Sequence, residues 1–206
     1  MRYIKICCFF IIFTLLLTGC SGVGKEKASS YGKITVVPYN MTEKESLLIS
    51  KTGVEDIEFF KLEGELKKED DLQFAIEKYE NGKFKEALLS TSNEPKATFK
   101  DSLISFGISN IQDEDYSLKL TAGTPSGVNT AIYPTNMKMF SVSFSKLVDE
   151  KVTLEKNKPV YLAAWLGTTK NGLRSVGSEN GELPTGMEEA EIALLYRVLW
   201  TDMYKK

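Results

Sequence analysis

The side chains that most often act as bases and nucleophiles in enzymes are scarce in this sequence. It contains no histidine, and its three cysteines are Cys7, Cys8 and Cys20. The absence of histidine excludes a Ser-His-Asp triad, a Cys-His pair and a histidine-based zinc site within this chain. A general base would have to be a carboxylate, a lysine or a tyrosine. Two carboxylates could cleave a glycosidic bond, but none of the 28 acidic residues sits in a motif that singles it out.

Motifs for phosphate and calcium are incomplete. The segment GTTKNGLRS places Gly167 and Gly172 at the spacing of a phosphate-binding loop, but it continues with Leu-Arg instead of Lys-Ser/Thr. The acidic clusters at 69–71 and 113–115 lack the alternating oxygen ligands, the glycine bend and the distal glutamate of a calcium loop. We therefore predict no metal site and no cofactor, and we interpret both acidic clusters as solvated turns.

Two long polar connections are the candidates for ligand binding. Residues 122–136 and 167–186 are rich in Ser, Thr, Gly and Asn and are longer than a hairpin needs. Long loops on rigid sheets often carry binding residues; the alternatives are an ordinary surface loop and, for the tryptophan, a place in the core. The predicted ligand is a carboxylate, a phosphate or a sugar. The candidate ligand-binding residues are Trp165, Thr168, Lys170, Asn171, Arg174, Tyr133 and Asn136.

The first twenty residues, MRYIKICCFFIIFTLLLTGC, have the three parts of an export signal. Arg2 and Lys5 give a positive start, Ile6 to Leu17 is apolar apart from Thr14, and small residues end the run. The apolar run is shorter than the ~20 residues that a membrane-spanning helix needs. The pattern is typical of a signal peptide that a protease removes.

The last four residues of this segment, Leu17-Thr18-Gly19-Cys20, resemble the lipobox of bacterial lipoproteins at all four positions. The resemblance implies cleavage between Gly19 and Cys20 and a diacylglyceryl thioether on Cys20. It also implies a protein anchored by lipid on the extracytoplasmic face of the cell membrane. The alternative is a plain secretory signal or a signal anchor. Beyond this motif the sequence resembles no family that we recognise.

Charge and length limit the partners and the domain organisation. The 26 basic and 28 acidic residues give a formal net charge of −2, which argues against a nucleic-acid-binding face and a polybasic membrane surface. The basic residues are nearly all lysine, and Ser21 is not the aspartate of an inner-membrane retention signal, so we expect a Gram-positive bacterium. We predict a cleaved signal peptide at 1–19, a lipidated cysteine with a flexible tether at 20–30, and a single domain at 31–206.

Alternation of apolar and polar residues along 31–206 predicts an all-β fold. Strands with one buried face are predicted at LISFGIS (103–109), SLKLTA (117–122) and KMFSVSFSK (138–146). VYLAAWLG (160–167) is apolar on both faces and predicts a central strand. Further strands are predicted at KITVV (33–37), SLLIS (46–50) and IEFFKLEG (57–64). Short strands with regular turns favour an antiparallel β-sandwich, Ig-like or jelly-roll-like.

Residues 72–90, LQFAIEKYENGKFKEALLS, allow two interpretations. A hairpin with the two-residue turn Asn81-Gly82 would place Tyr79 opposite Phe84 and Ile76 opposite Ala87. The alternative is helical, because part of the segment resembles a tetratricopeptide repeat. Such arrays need several copies to bury a core, and no second copy is present, so we favour the hairpin.

The C-terminal segment 187–203 also allows two structures. Its strong helix formers and an apolar stripe of helical spacing predict one C-terminal helix. Its alternation of Ile192, Leu194, Tyr196, Val198 and Trp200 predicts a long strand. We favour the strand, because a sandwich needs a last long strand at this place.

From these features we expect a lipid-anchored module that binds or interacts at the cell envelope and is not an enzyme. Its predicted partners are the membrane, through Cys20, and an envelope protein or a small polar or anionic ligand. The alternatives are an accessory or inhibitor subunit of a membrane complex, and a carboxylate-based hydrolase of wall or polysaccharide.

Overall fold

The computed structural model describes residues 32–112 and 114–203. The predicted signal peptide, the lipidated Cys20 and the tether lie outside the described residues. In chain order the elements are β1 (Ile34–Tyr39), α1 (Glu43–Ile49), β2 (Asp56–Glu65), β3 (Asp70–Glu80), β4 (Lys83–Thr91), β5 (Thr98–Asn110), β6 (Leu118–Thr124), β7 (Gly127–Tyr133), β8 (Ser141–Lys146), β9 (Val152–Thr153), β10 (Pro159–Thr168), a 3-10 turn (Met187–Glu189) and β11 (Ile192–Asp202). None of the helices in this part of the chain has the length and apolar character to cross a membrane.

The strands form two antiparallel sheets. The six-stranded sheet has the order β7-β6-β5-β2-β1-β9, and the five-stranded sheet has the order β4-β3-β11-β10-β8. The inner faces of the two sheets enclose one apolar core. The predicted all-β antiparallel sandwich is thereby confirmed.

Tyr196 lies at the centre of the core, where it joins the two sheets. Its ring stacks on Phe106 at 5.7 Å and on Phe74 at 6.4 Å between centroids. Its hydroxyl donates a 2.9 Å hydrogen bond to the carbonyl of Gly123 in the opposite sheet. Complete burial raises the pKa of Tyr196, so the hydroxyl stays neutral and remains a donor.

The predicted central strand is confirmed as β10, which pairs with β11 on one side and β8 on the other. Its inner face joins the main core, and its outer face forms a second apolar cluster. The connection 169–191 covers that outer face with Val176 and Met187, which are 7% and 3% exposed. At a bulge in β10 the N–H of Tyr161 donates to the carbonyl of Gly181 in this connection, at 2.7 Å.

The hairpin interpretation of 72–90 is confirmed and the helical alternative is wrong. Asn81 and Gly82 form the turn with φ of 49° and 75°, as a two-residue turn of this type requires. Tyr79 pairs with Phe84 as predicted, but Ile76 pairs with Leu89 and not with Ala87. Two irregularities in the β3–β4 register cause the difference, because a bulge adds a residue to one strand only.

The favoured strand is confirmed in the C-terminal segment, and the alternative, a C-terminal helix, is wrong. β11 runs between β3 and β10 in the five-stranded sheet. Both of its faces are buried, one in the main core and one under the connection 169–191. Burial on both faces explains why eight of its eleven residues are apolar. Apolar residues at so many positions produce the helical stripe as well as the alternation.

The strand predicted at residues 46–50 is wrong, because these residues lie in and after α1. Thr42 caps this helix and forms a capping box with Glu45. The carboxylate of Glu45 accepts hydrogen bonds from the hydroxyl of Tyr39 at 2.6 Å and from the backbone N–H of Thr42 at 2.7 Å. These bonds, with the one from Tyr39 the largest cause, lower the pKa of Glu45 from 4.5 to about 2.

The acidic cluster at 69–71 is not a solvated turn. Asp70 and Asp71 are each 3% exposed. The carboxylate of Asp71 accepts from the backbone N–H groups of Asn93 and Glu94 at 3.0 and 3.1 Å, and Asp70 pairs with Lys156 at 2.5 Å. A buried carboxylate needs such partners, so both aspartates fix loops at this end of the sandwich. In the second cluster Asp113 lies outside the described residues.

Candidate ligand-binding groove

A groove of about 620 Å³ opens between the two sheets at one end of the sandwich. It lies where β5 ends and where β6 and β8 begin. Its volume is within the range of small-molecule sites. Its apolar and aromatic lining residues are Ile111, Tyr116, Leu118, Met137, Met139, Val142 and Trp165, and its polar lining residues are Asn110, Gln112, Glu114, Thr135 and Lys138.

Trp165 is the most buried aromatic residue of the groove, with 3% of its surface exposed. It sits on the inner face of β10 opposite Phe144 of β8. Its ring lies over Gly167, where an added Cβ would come within 2.5 Å of the ring atom Cη2. The absence of a side chain at Gly167 therefore allows the indole to pack closely against the strand.

The entrance of the groove exposes apolar side chains to solvent. Tyr116 is 47% exposed and Val142 is 57% exposed. Phe140, just before β8, is 69% exposed; the strand predicted at 138–146 begins only at Ser141. Exposed apolar groups beside a groove are typical of a binding site. Met137 and Met139 add unbranched, polarizable side chains, which adapt to ligands of different shape.

Hydrogen bonds hold the two connections that form the entrance. The hydroxyl of Thr135, which is 5% exposed, lies 2.9 Å from the carbonyl oxygen of Tyr116 and 2.8 Å from that of Met137. The backbone N–H of Asn136 donates to the carbonyl of Asp115 at 2.9 Å. The groove is therefore preformed, which lowers the entropic cost of binding.

The predicted ligand-binding residues are not all brought together. Trp165 lines the groove, and Asn136 lies between the lining residues Thr135 and Met137. Thr168 is 1% exposed and faces the opposite side of β10, where its hydroxyl accepts from the N–H of Lys170 at 3.2 Å.

The remaining candidates lie outside the lining of this groove. Lys170, Asn171 and Arg174 are exposed, and their segment is held along β8 by the hydroxyl of Ser141. Tyr133 is half-buried with the ammonium of Lys78 over its ring, 5.1 Å from the centroid. A role in binding for these residues stays a prediction.

The long polar connection predicted at 122–136 does not exist as a loop. Residues 122–124 end β6, Pro125 and Ser126 form a two-residue turn, and 127–133 form β7. Sequence reasoning missed this hairpin because its second strand has little apolar alternation. It also missed Met137, Met139 and Val142 as groove residues. Their signal in the sequence is a short apolar stretch, 137–142, beside a polar segment.

A second group of polar side chains is buried on the outer face of the five-stranded sheet. The carboxylate of Glu77, itself 9% exposed, lies 2.5 Å from the guanidinium Nε of Arg197. The same carboxylate accepts from the hydroxyls of Tyr79 and Tyr161 at 3.0 and 3.3 Å. The two hydroxyls are 3.1 Å apart. We call these four residues the buried polar network.

Burial is the largest cause that raises the pKa of both Tyr79 and Tyr161. Their hydroxyls are therefore neutral donors and do not act as bases at neutral pH. Both tyrosines belong to the apolar cluster that also contains Val176 and Met187 of the connection 169–191. We assign the network to fold stability, because its two tyrosines are buried in that apolar cluster.

The described residues contain no group of three acidic, cysteine or histidine side chains placed to hold a metal ion. Glu114 is the sole carboxylate among the described residues of the groove lining. The groove therefore does not supply the two carboxylates that a glycosidase needs from its described lining.

Comparison with known proteins places the domain in a family. No curated protein and no solved structure matches the chain. The family model described as the YgaN domain matches residues 35–199, from β1 into β11. This match includes most of both sheets and every described lining residue of the groove. It assigns the domain that the sequence motifs left without a family, and the chain belongs to the YgaN domain family.

Proposed function

We propose that this protein is a lipid-anchored lipoprotein whose β-sandwich binds a ligand at the extracytoplasmic face of the cell membrane. The observation that carries the binding function is the preformed groove with Trp165 at its floor. The observation that carries the anchor is the motif Leu17-Thr18-Gly19-Cys20. The protein binds its ligand without changing it chemically.

The lining of the groove defines the chemistry of the ligand. Apolar and aromatic side chains form most of it, and the exposed ring of Tyr116 offers a flat surface for stacking. Lys138 is the single cation of the described lining. The ligand is therefore a small molecule, or the end of a larger one, with an apolar or aromatic body and a polar or anionic group.

The side chains that could act as acids or bases favour binding over catalysis. The chain has no histidine, and the tyrosines of the buried polar network have raised pKa values and are buried in an apolar cluster. The described lining of the groove holds a single carboxylate, on Glu114, and a single ammonium, on Lys138, so it lacks the second carboxylate of an acid-base pair.

Binding can be tested with a fluorescent probe of the proposed chemistry. Anilinonaphthalene sulfonate has an aromatic body and an anionic group. We expect Val142→Glu to weaken its binding about tenfold or more, because a carboxylate at the entrance removes apolar contact and repels the anion. Leu183→Glu is the matched control, because Leu183 is similarly exposed at 47% and does not line the groove. Equal affinity of the two variants would contradict the groove as the site.

The sequence-based candidate Arg174 gives a second arm of the same experiment. It is exposed on the connection 169–191 and lies outside the groove lining. If Arg174→Ala weakens binding of the probe and Val142→Glu does not, the ligand site lies on the connection and the groove is excluded.

The anchor is tested by fractionating cells that express the full chain or its Cys20→Ser variant. The unsubstituted chain should incorporate labelled fatty acid and sediment with membranes. The variant should incorporate none and should leave the membrane fraction once its signal is cleaved. A cleaved Cys20→Ser protein that stays with the membrane would show that something other than lipid holds it.

A further inference from the structure

The four edge strands of the two sheets differ in how they are protected. β4 carries the charged residues Lys83, Lys85 and Glu86 and two irregularities in its pairing. β8 lies against the segment 170–175, which its serines contact. β9 is two residues long. Charges, bulges, cover and short length are the usual ways in which proteins protect a sheet edge from pairing with another chain.

β7 has no charge, no bulge and no short length to protect it, and β4 of the other sheet lies beside it without pairing with it. Its sequence, GVNTAIY, contains no charged residue and no proline, and five of its seven residues are exposed. Val128 and Ile132, both on the outer face of the sheet, are each 68% exposed. An uncharged, exposed edge strand of this length is a template for β-pairing.

The register of the β6–β7 hairpin shows which backbone groups are free. The two-residue turn is closed by Thr124 and Gly127, so alternate residues of β7 from Gly127 onward bond to β6. The N–H and C=O groups of Val128, Thr130 and Ile132 then point away from β6. No described residue outside the hairpin forms a backbone hydrogen bond with them.

We propose that β7 pairs antiparallel with β7 of a second copy of this chain, about a two-fold axis at Thr130. Thr130 then lies opposite Thr130 of the partner subunit, and Val128 lies opposite Ile132 of the partner subunit. The three residues with outward-pointing backbone groups all form hydrogen-bonded pairs in this register. The six-stranded sheets of the two copies become one continuous sheet.

The composition of β7 favours a second copy over an unrelated chain. A two-fold axis places each residue opposite its own image or that of a neighbour, so a charged edge would oppose like charges. β7 is free of charge. In the proposed register each exposed Val128 meets an exposed Ile132 of the partner subunit, a cross-strand pair of β-branched residues that stabilises antiparallel sheets.

The edge is also held in place before pairing. The ammonium of Lys96 bonds to the carbonyl of Pro125 in the turn. The hydroxyl of Ser126 donates to the carboxylate of Glu94 at 3.1 Å. Both contacts fix the hairpin to the loop between β4 and β5, so that little conformational entropy is lost on pairing.

Cysteine cross-linking of the full chain tests the register. Opposite residues of a hydrogen-bonded pair have Cα atoms about 5.5 Å apart, within the range that a disulfide spans. We expect Thr130→Cys to give a covalent dimer on mild oxidation, in at least tenfold higher yield than Ala87→Cys. Ala87 is the matched control, exposed on the charged edge strand β4. The unsubstituted chain accounts for any disulfide of the native cysteines.

A second variant keeps the proposal testable if oxidation fails. Thr130→Lys places two like charges opposite each other at the axis, and we expect analytical ultracentrifugation to show a shift from two chains to one. The melting temperature of the separated monomer should stay near that of the unsubstituted chain, because Thr130 is exposed. A monomeric unsubstituted chain, equal cross-linking of both cysteine variants, or a Thr130→Cys adduct with a different protein would each overturn the proposal.

Discussion

The buried polar network on the outer face of the five-stranded sheet makes a quantitative prediction about stability. Glu77 accepts hydrogen bonds from Tyr79 and Tyr161 and pairs with Arg197. The side chains of the ion pair are 11% and 14% exposed. Three variants test the network: Glu77→Leu, Arg197→Met and the double variant.

Each single variant leaves one buried charge without its partner, which typically costs about 3–5 kcal/mol. We expect Arg197→Met near the lower value, because the carboxylate of Glu77 keeps its bonds from Tyr79 and Tyr161. We expect Glu77→Leu near the upper value, because it leaves the guanidinium unpaired and removes the acceptor of two hydroxyls. The double variant should be about 2 kcal/mol more stable than Glu77→Leu, since it removes both charges.

Urea unfolding measures these differences in the free energy of unfolding, with the slope m checked for constancy. Lys61→Met is the control, because Lys61 pairs with Asp101 at 3.0 Å on the surface, with side chains 34% and 59% exposed. Removal of such a pair costs at most about 1 kcal/mol. If the two single costs of the network simply add in the double variant, water reaches both charges and our account of the covered network is wrong.

Three further predictions concern other parts of the fold. The pKa of Glu45 is about 2 in the folded protein against 4.5 ordinarily. Its stabilising contribution to α1 is therefore complete above about pH 4.5 and is lost as the pH falls from 4.5 to 2. Protection of the α1 amides from hydrogen exchange should fall over the same pH range, and this pH dependence should disappear in Glu45→Gln. Gly167→Ala should lower the free energy of unfolding by about 1–3 kcal/mol and shift the fluorescence of Trp165, because the new Cβ overlaps the indole. Gly64→Ala should cost about 3 kcal/mol or more, because φ is +131° and a Cβ would lie 2.2 Å from a carbonyl oxygen; urea unfolding should show no comparable loss for Gly127→Ala, where the space is open.

The sequence predicted those strands whose alternation is set by one buried face. Ile104, Phe106 and Ile108 are at most 2% exposed, as their spacing in β5 indicates. β10 was recognisable because its apolar residues fill both faces. Both patterns indicate directly which side chains are buried, so they can be read from the sequence without knowing which strands pair.

The errors arose where local interactions decide the structure. Residues 46–50 are a short apolar stretch, which fits a helix or a strand equally well. The capping box of Thr42 and Glu45 selects the helix and is readable as the spacing T-x-x-E. The bulges between β3 and β4 changed the partner of Ile76, and no pattern in either strand marks a bulge.

The candidate site was predictable only at Trp165. Most of its other lining residues come from the connections after β5 and after β7, and Asn110, Leu118 and Val142 come from strand ends next to them. Sequence spacing does not show that these segments meet at one end of a sandwich. The polar composition of 167–186 suggested a free binding loop. The structure shows that Val176 is 7% exposed and that it belongs to the apolar cluster on the outer face of the sheet.

The cover of that outer face explains why the groove lies at the end of the sandwich. Because β10 and β11 are apolar on both faces, their sheet needs a second layer on its outer side. The connection 169–191 supplies that layer, and it is tied there by the bond from the N–H of Tyr161 to the carbonyl of Gly181. A ligand beneath this connection would have to displace apolar residues from the cluster. At the end of the sandwich, Tyr116 and Val142 are already exposed, so a ligand there gains apolar contact without unfolding any part of the protein.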